Sequence, residues 1–422
     1  MTANKPHIAV IGLGYVGLPL ALALAEHYDV TGFDINTHRI QALKNHQDLT
    51  QEVTAEQLAN SRLRLTTDTA ELSAADVYII TVPTPVDGNN TPDLTPLLAA
   101  SEVVGSLLTP GNTVIYESTV YPGASEGICA ETLSRSSGLI LNKDYFIAYS
   151  PERINPGDKV NTLQTIVKVV AGSTPETAER VNQIYQRIIP AGTHIAPTIQ
   201  VAEAAKAIEN TQRDINIAFM NELSMMFHEM DIDVLDVIAA ASTKWNFLPF
   251  KPGLVGGHCI GVDPYYLIHQ SQQRGYFPQL ITTARRLNEN MSSYVSERIL
   301  KLMALHSKHI VKSRILILGV TFKENCPDLR NTRVVEIKSQ LARYHAQVDV
   351  CDPWADKDDL KREYAIELTQ QPKAGSYDLV MLAVAHDCFK EPNYNPRKYC
   401  VADGLVFDLK GLFPQNEVDA RL

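Results

Sequence analysis

The chain predicts an α/β protein with a doubly wound parallel sheet at each end and a helical middle that contains one long helix. Three observations carry this. Short apolar runs alternate with helical stretches through the first 198 residues. Residues 199–230 contain neither Pro nor Gly and are rich in Ala, Glu, Gln, Met and Leu. A second alternation of runs and helices opens at Arg314. The expected segments are therefore 1–198, 199–308 and 309–422.

At 422 residues the chain is long enough for two or three domains with real cores. Its net charge of -10, from 38 basic and 48 acidic residues without long single-sign runs, argues against nucleic acid as the main partner. The six cysteines (129, 259, 326, 351, 388, 400) form no C-x-x-C pair. This is neither a metal-site spacing nor a disulfide framework, and no metal is expected. The short polar stretch 1–7 leads straight into a strand, and no apolar run reaches the length of a membrane span. The expectation is a cytoplasmic, soluble protein with no nucleic-acid or membrane partner.

The first strand is the apolar run 7–12. It feeds Gly12-x-Gly14-x-x-Gly17, a helical pattern over 18–28, and a second strand over 29–33 that ends in Asp34. Gly12 permits a tight turn, and Gly14 lets the backbone reach a pyrophosphate. Gly17 lets the helix pack on the sheet with its amino terminus facing phosphate. Asp34 is placed to accept from ribose hydroxyls, and its charge would repel a 2′-phosphate, which favours NAD over NADP. Arg39 nearby is a mild counter-argument, and it also reads as a solvated helix charge. Further strands are expected over 77–82, 113–116 and 146–149, with helices over 94–108 and 125–134. This is a Rossmann-like sheet, whose ligand crevice lies past the carboxyl ends of the strands. Three stretches fall there: Pro83-Thr84-Pro85, Glu117-Ser118-Thr119 and Ser150-Pro-Glu152-Arg153-Ile-Asn155. Each reads as turn chemistry or as part of a site. Thr119 and Glu152 are the members suited to positioning and deprotonating a water.

The Pro- and Gly-free stretch 199–230 predicts a helix of about 48 Å, long enough to span domains or build a subunit interface. Glu203, Lys206, Asn210 and Arg213 share one of its faces. That stripe is either solvated or, with Lys206 and Asn210 one turn apart, a pair of donors for an oxyanion. A helix over 232–242 leads to the stretch 245–266, where Pro249, Pro252, Gly253, Gly256 and Gly257 enforce a loop. The loop presents Cys259, with His258 beside it and Asp263 four residues on. It is either a buried structural cysteine or a nucleophile with candidate bases. Helices over 281–291 and 294–305 complete a middle block suited to holding a dimer together.

The last third predicts strands over 314–319, 348–352, 378–384 and 406–408, and a helix over 334–344. Its first turn has a single glycine, Gly319, so it lacks the dinucleotide fingerprint. Lys323, Arg330 and Arg333 follow, cations suited to phosphates or to a neighbouring domain.

Together these residues resemble the UDP-glucose/GDP-mannose dehydrogenase family across nearly the whole chain. Gly12-x-Gly14-x-x-Gly17 with Asp34 resembles its NAD site, Glu203-x-x-Lys206-x-x-x-Asn210 its central-helix motif, and Gly256-Gly-His-Cys259-x-x-x-Asp263 its nucleophile loop. The stretch from Phe322-Lys323 through Asp328-x-Arg330 resembles the linker into its UDP-binding domain. His258 and Val262 replace the Ser and Lys usual in UDP-glucose enzymes. The segments from Ser150 and from Lys244 to Cys259 look instead like UDP-N-acetylhexosamine 6-dehydrogenases of bacterial surface polysaccharides. The resemblance implies a homodimer and a four-electron oxidation of the sugar C6 alcohol by two NAD. A base in the Lys206/Asp263 region, or a water held there, would take the hydroxyl proton. Cys259 would capture the aldehyde as a thiohemiacetal, with Lys206 and Asn210 at its oxyanion. Water activated by Asp263 or Glu152, with Thr119 assisting, would hydrolyse the thioester. Candidate NAD contacts are Gly12, Gly14, Tyr15, Val16, Gly17, Asp34, Arg39, Pro83, Thr84, Ser118, Thr119 and Arg330. Candidate substrate contacts are Glu152, Arg153, Lys206, Asn210, Arg213, Lys251, Gly253, Gly256 and Lys323. A UDP-glucose or UDP-N-acetylmannosamine enzyme, a two-electron dehydrogenase of the same fold, and a non-catalytic NAD-sensing protein are the alternatives.

Overall fold

Runs of Ile, Val and Ala too short for helices pair into strands whose two faces are both covered. The computed structural model describes residues 5–154 and 161–422. Those residues divide into two units. The first runs to Glu209 and includes Tyr265–Phe277, while the second holds Asn210–Pro264 and Pro278–Leu422.

In the first unit the strands are β1 (His7–Ile11), β2 (Asp29–Phe33), β3 (Arg64–Thr66), β4 (Val77–Ile80), β5 (Thr113–Tyr116), β6 (Phe146–Tyr149), β7 (Lys168–Gly172) and β8 (Thr193–Ile195). They form one sheet in the order β3-β2-β1-β4-β5-β6-β7-β8. β1, β4 and β5 are apolar on both faces and buried almost throughout, as parallel strands covered by helices must be. The helices are α1 (Gly17–Ala25), α2 (Thr37–Lys44), α3 (Ala55–Asn60), α4 (Thr95–Leu107), α5 (Ala130–Ser137) and α6 (Pro175–Gln186). Leu18, Leu20, Ala21 and Leu24 of α1 join Ile8, Val10, Val77 and Ile79 of the strands in one core. The parallel expectation holds along this sheet with one exception, because β7 runs antiparallel to β6 (Ala148↔Gly172, Tyr149↔Ala171). β7, α6 and β8 were not anticipated as elements. α6 carries the usual start signals all the same, with Thr174 Oγ1 accepting from Thr177 N at 3.2 Å and Pro175 in the first turn.

The long helix is α7 (Ile199–His228), and the boundary between the units falls inside it. Beyond it lie α8 (Val234–Ala241), α9 (Asp263–Gln273) and α10 (Gln279–Leu305). Two expectations are corrected here. Residues 281–291 and 294–305 belong to one continuous helix, since mid-helix serines find partners without breaking it: Ser296 Oγ donates to Ser292 O at 2.8 Å and Ser292 Oγ to Arg333 O at 3.2 Å. The expected loop 245–266 ends early, because α9 starts at Asp263 with an acid and a proline in its first turn.

The second unit carries β9 (Arg314–Leu318), α11 (Val334–Arg343), β10 (Gln347–Cys351), α12 (Lys357–Tyr364), β11 (Tyr377–Leu382), β12 (Cys400–Asp408) and β13 (Ala420–Arg421). The sheet order is β10-β9-β11-β12-β13, with each neighbouring pair parallel. Met291, Val295, Ile299 and Met303 of α10 share a core with Ile315, Ile317, Met381 and Phe407 of this sheet. Among the described residues no helix is long and apolar enough to cross a membrane.

Candidate active site

The turn after β1 is shaped by contacts that only glycine tolerates. Gly12 has φ +94°, and a Cβ on Gly17 would stand 1.9 Å from Gly12 O and 2.4 Å from Thr81 Oγ1. Thr81 Oγ1 in turn donates to Gly12 O at 2.6 Å. A Cβ on Gly14 would meet nothing, so the backbone there faces open space. Asp34 accepts from Leu13 N and from Asn36 N, each at 2.9 Å, and each oxygen keeps a lone pair for a hydroxyl. An open backbone at a helix amino terminus with an acid beside it fits a dinucleotide. Tyr15 is half-buried and Val16 buried in the same turn. Arg39 is not the solvated charge expected: it is buried, donates from Nε to Leu13 O at 2.9 Å, and pairs with Asp48 at 2.7 Å. Its guanidinium braces the glycine turn from behind.

Further along the sheet, Thr84 Oγ1 donates to Thr119 O at 2.7 Å and Ser118 Oγ to Val82 O at 2.6 Å. These bonds tie the two strand-end loops together, beside an exposed Pro83. Tyr266 of α9 adds a bond to Thr84 O at 2.7 Å. Glu152 is buried, and its Oε1 accepts from Ile154 N. Arg153 contacts Glu209 at 2.7 Å and Val167 O at 2.8 Å, so its guanidinium is held by the protein. Asn155 lies outside the described residues. Glu203, read above as part of a polar stripe, is fully buried and accepts from Gly123 N at 2.5 Å and Ser125 N at 2.9 Å. Burial pushes its carboxyl up to about 7 against the pull of those hydrogen bonds. Lys206 is buried on the same helix.

In the second unit Cys259 is half-buried. Burial pushes Cys129 up to about 12 and Cys351 and Cys400 to about 11, which leaves those thiols protonated and inert. The loop that carries Cys259 is tightly cast. Gly257 has φ +78°, and a Cβ there would stand 2.9 Å from the Phe322 ring, while one on Gly256 would stand 2.8 Å from Asn331 O. Asn331 Nδ2 donates to Gly257 O at 3.2 Å, and the Phe322 ring meets His258 edge-on at 6.3 Å. Asp328 lies 4.0 Å from His258 Nδ1 and is gripped by Arg330, whose Nε and Nη2 reach both its oxygens. Thus the 322–331 segment, which also carries the half-buried Lys323, packs on the cysteine loop. Lys251, at the loop's other end, is exposed.

Cys259 O accepts from Asp263 N at 2.8 Å, which closes the turn into α9. Asp263 is buried and accepts from Asn210 Nδ2 at 2.5 Å, while Arg213 donates to Asn210 Oδ1. The amide of Asn210 is thereby oriented, with one N–H left for an oxyanion. Gly253 is paired twice with Asn221, N to Oδ1 at 2.7 Å and O to Nδ2 at 3.0 Å. Asn221 leads on to Asn288 at 2.8 Å, Asn288 to Asp214 at 2.7 Å, and Asp214 to Arg285 at 2.5 Å. Sequence reading did not assign Thr81, Asp214, Asn221, Arg285 or Asn288 to the site. The available signal was Asn210, Asp214 and Asn221, spaced four and seven apart on one face of α7.

The acid at the end of the second sheet's second strand behaves differently from Asp34. Asp352 Oδ2 accepts from Val320 N at 2.6 Å, Thr321 N at 3.1 Å and His386 Nε2 at 3.1 Å, and its Oδ1 from Trp354 N at 2.7 Å. With its side chain fully buried it has no capacity for a ribose, which is why this sheet resembles a dinucleotide fold without its site.

Family models of the UDP-glucose/GDP-mannose dehydrogenases match along the chain: the NAD binding domain at 6–189, the central domain at 200–290 and the UDP binding domain at 316–415. The chain is 50% identical over 421 residues to a UDP-N-acetyl-D-glucosamine 6-dehydrogenase of Salmonella typhi, covering 99% of both. It is 53% identical over 417 residues to one of Pseudomonas aeruginosa, covering 98% of this chain and 99% of the other. A solved UDP-D-ManNAc dehydrogenase from Pyrococcus horikoshii superposes with a TM-score of 0.88 at 28% identity, covering 97% and 96%.

Proposed function

Because the chain belongs to the UDP-glucose/GDP-mannose dehydrogenase family, we propose that it oxidises the C6 alcohol of a UDP-N-acetylhexosamine to the carboxylate, for surface-polysaccharide synthesis. It is an NAD-dependent nucleotide-sugar dehydrogenase, and the substrate is UDP-N-acetylglucosamine or UDP-N-acetylgalactosamine. The observation that carries this reading is the end-to-end match to two UDP-N-acetyl-D-glucosamine 6-dehydrogenases. The segments 1–198, 199–308 and 309–422 then serve NAD binding, catalysis with dimerisation, and UDP-sugar binding.

The backbone of Gly12, Gly14, Tyr15, Val16 and Gly17 would hold the pyrophosphate, and Asp34 the ribose hydroxyls. The chemistry NAD supplies when bound is acceptance of a hydride, once from the alcohol and once from the thiohemiacetal. Cys259 as thiolate adds to the C6 aldehyde, which keeps the intermediate attached between the two oxidations. Lys206 and the oriented amide of Asn210 stabilise the oxyanion. Asp263 or Glu152, with Thr119 positioning the water, takes the proton as the thioester is hydrolysed to carboxylate and thiol. Six cysteines without a disulfide suit a reducing, cytoplasmic setting. A homodimer formed through α7 fits that helix's exposed apolar side chains.

The test is stoichiometry. Purified protein with NAD and each UDP-sugar should yield two NADH per sugar oxidised, and Cys259→Ala should abolish uronate formation while NAD still binds. One NADH per sugar, or normal turnover without the thiol, would defeat the proposal.

A further inference from the structure

The single antiparallel step in the first sheet has a chemical consequence. Pairing of Ala148 with Gly172 and Tyr149 with Ala171, continued in the same register, sets Lys168 across from Glu152. A parallel strand would have set other residues there. The Lys168 side chain is 4% exposed, and its Nζ lies 2.7 Å from Glu117 Oε2, 3.3 Å from Pro151 O and 3.9 Å from Glu152 Oε2. Glu117, at the end of β5, is bonded at both oxygens, since Tyr185 of α6 donates to its other oxygen. Glu152 differs: Oε1 accepts from Ile154 N, while Oε2 accepts no hydrogen bond from the described residues. One buried cation therefore serves two buried carboxylates, bonding one and standing just beyond bonding distance of the other.

We propose that Lys168 and Glu117 are positioning residues for Glu152: the ammonium, bonded to Glu117, stands 3.9 Å from Glu152 Oε2 and fixes that carboxyl while leaving Oε2 able to take a proton from water. This rests on the reading of Glu152 as a base for thioester hydrolysis. Burial raises the Glu117 carboxyl, the Lys168 ammonium pulls it back, and the Glu152 charge raises it further, so the two acids compete for one lysine. The charged and titratable groups around Glu152 are Lys168 from β7, Glu117 from the end of β5, Tyr185 from α6, and Arg153 with its partner Glu209 on α7. Because Lys168 is shared, removing its ammonium and removing the charge of Glu117 should act on Glu152 in opposite senses. Removing the ammonium leaves Glu152 facing Glu117 alone. Removing the charge of Glu117 leaves the ammonium to Glu152.

The experiment follows single-turnover hydrolysis of the acyl-enzyme formed with UDP-N-acetylglucosamine and NAD, as a function of pH, with intact-mass detection of the adduct. Lys168→Met should move the acid limb up by about one pH unit, a slowing of about tenfold below the limb. Glu117→Gln, nearly isosteric and expected to fold, should move it down. The double variant should fall between them, and Lys168→Arg should restore most of the native profile. Limbs that coincide with the native one in both single variants, while Glu152→Gln still accumulates adduct, would overturn the positioning role alone. Normal hydrolysis in Glu152→Gln would overturn the role of Glu152 and this proposal with it.

Discussion

At the scale of single residues, burial decides what a titratable group does. Glu203 sits on a stripe that helical spacing alone reads as solvated, yet it is sealed in and receives two backbone amides. Its carboxyl is raised from 4.5 to about 7, so folding takes up a proton between those values. The stability this group lends is complete below about pH 4.5 and is lost as pH rises through 7, on the order of 3 kcal/mol in all. Thermal unfolding of the native chain should therefore show a decline across that window which Glu203→Gln lacks, whatever constant offset the substitution adds. Matching slopes in the two proteins would contradict this account. Arg39 makes the same point in the other direction, because a cation three residues past the Asn36 cap looks solvated until the fold puts Asp48 and Leu13 O around it.

At the scale of elements, α7 is amphipathic in an inverted sense. Its polar residues Asn210, Asp214 and Asn221 are buried, while Ile208, Phe219 and Met226 are exposed. A helix built only to cover a core would show the reverse. The buried stripe works as a clamp, because Asn221 pairs with both backbone groups of Gly253, six residues before the thiol. Asn221→Ala removes both bonds and strands a buried N–H and C=O, a cost of about 2 to 4 kcal/mol. Turnover should fall at least tenfold and alkylation of Cys259 should change rate, with NAD affinity unaltered, since the dinucleotide turn lies in the other unit. Unchanged thiol reactivity would show that the clamp does not set the loop. Elements were legible where a period ran uninterrupted, as in β1, β4 and α7. They were missed at β7, whose apolar run is interrupted by Lys168, at β8, which has three residues, and where serines masked the continuity of α10.

At the scale of the whole molecule, the exposed apolar residues of α7 need a cover. Phe219 and Met226, seven apart, share a face of α7 that a second copy can bury. If the proposed homodimer forms through this face, Phe219→Glu should convert it to a species of half the mass in sedimentation, with the two sheets intact by circular dichroism. A native chain that sediments as a monomer would refute the dimer outright.

The sequence alone determined the chemistry available and the kind of fold: glycines at 12, 14 and 17 before an acid, a thiol in a Pro/Gly loop, and two alternating patterns around a long helix. These are local properties, written in spacing and backbone permissiveness. The tertiary structure decided which of those groups meet. It packed the 322–331 segment on the cysteine loop, turned Asn210 to Asp263, and saturated Asp352 while leaving Asp34 able to accept. It also reversed one strand, so that Lys168 faces two acids. Burial and long-range pairing depend on the packing of residues far apart in the chain, and no local pattern encodes them.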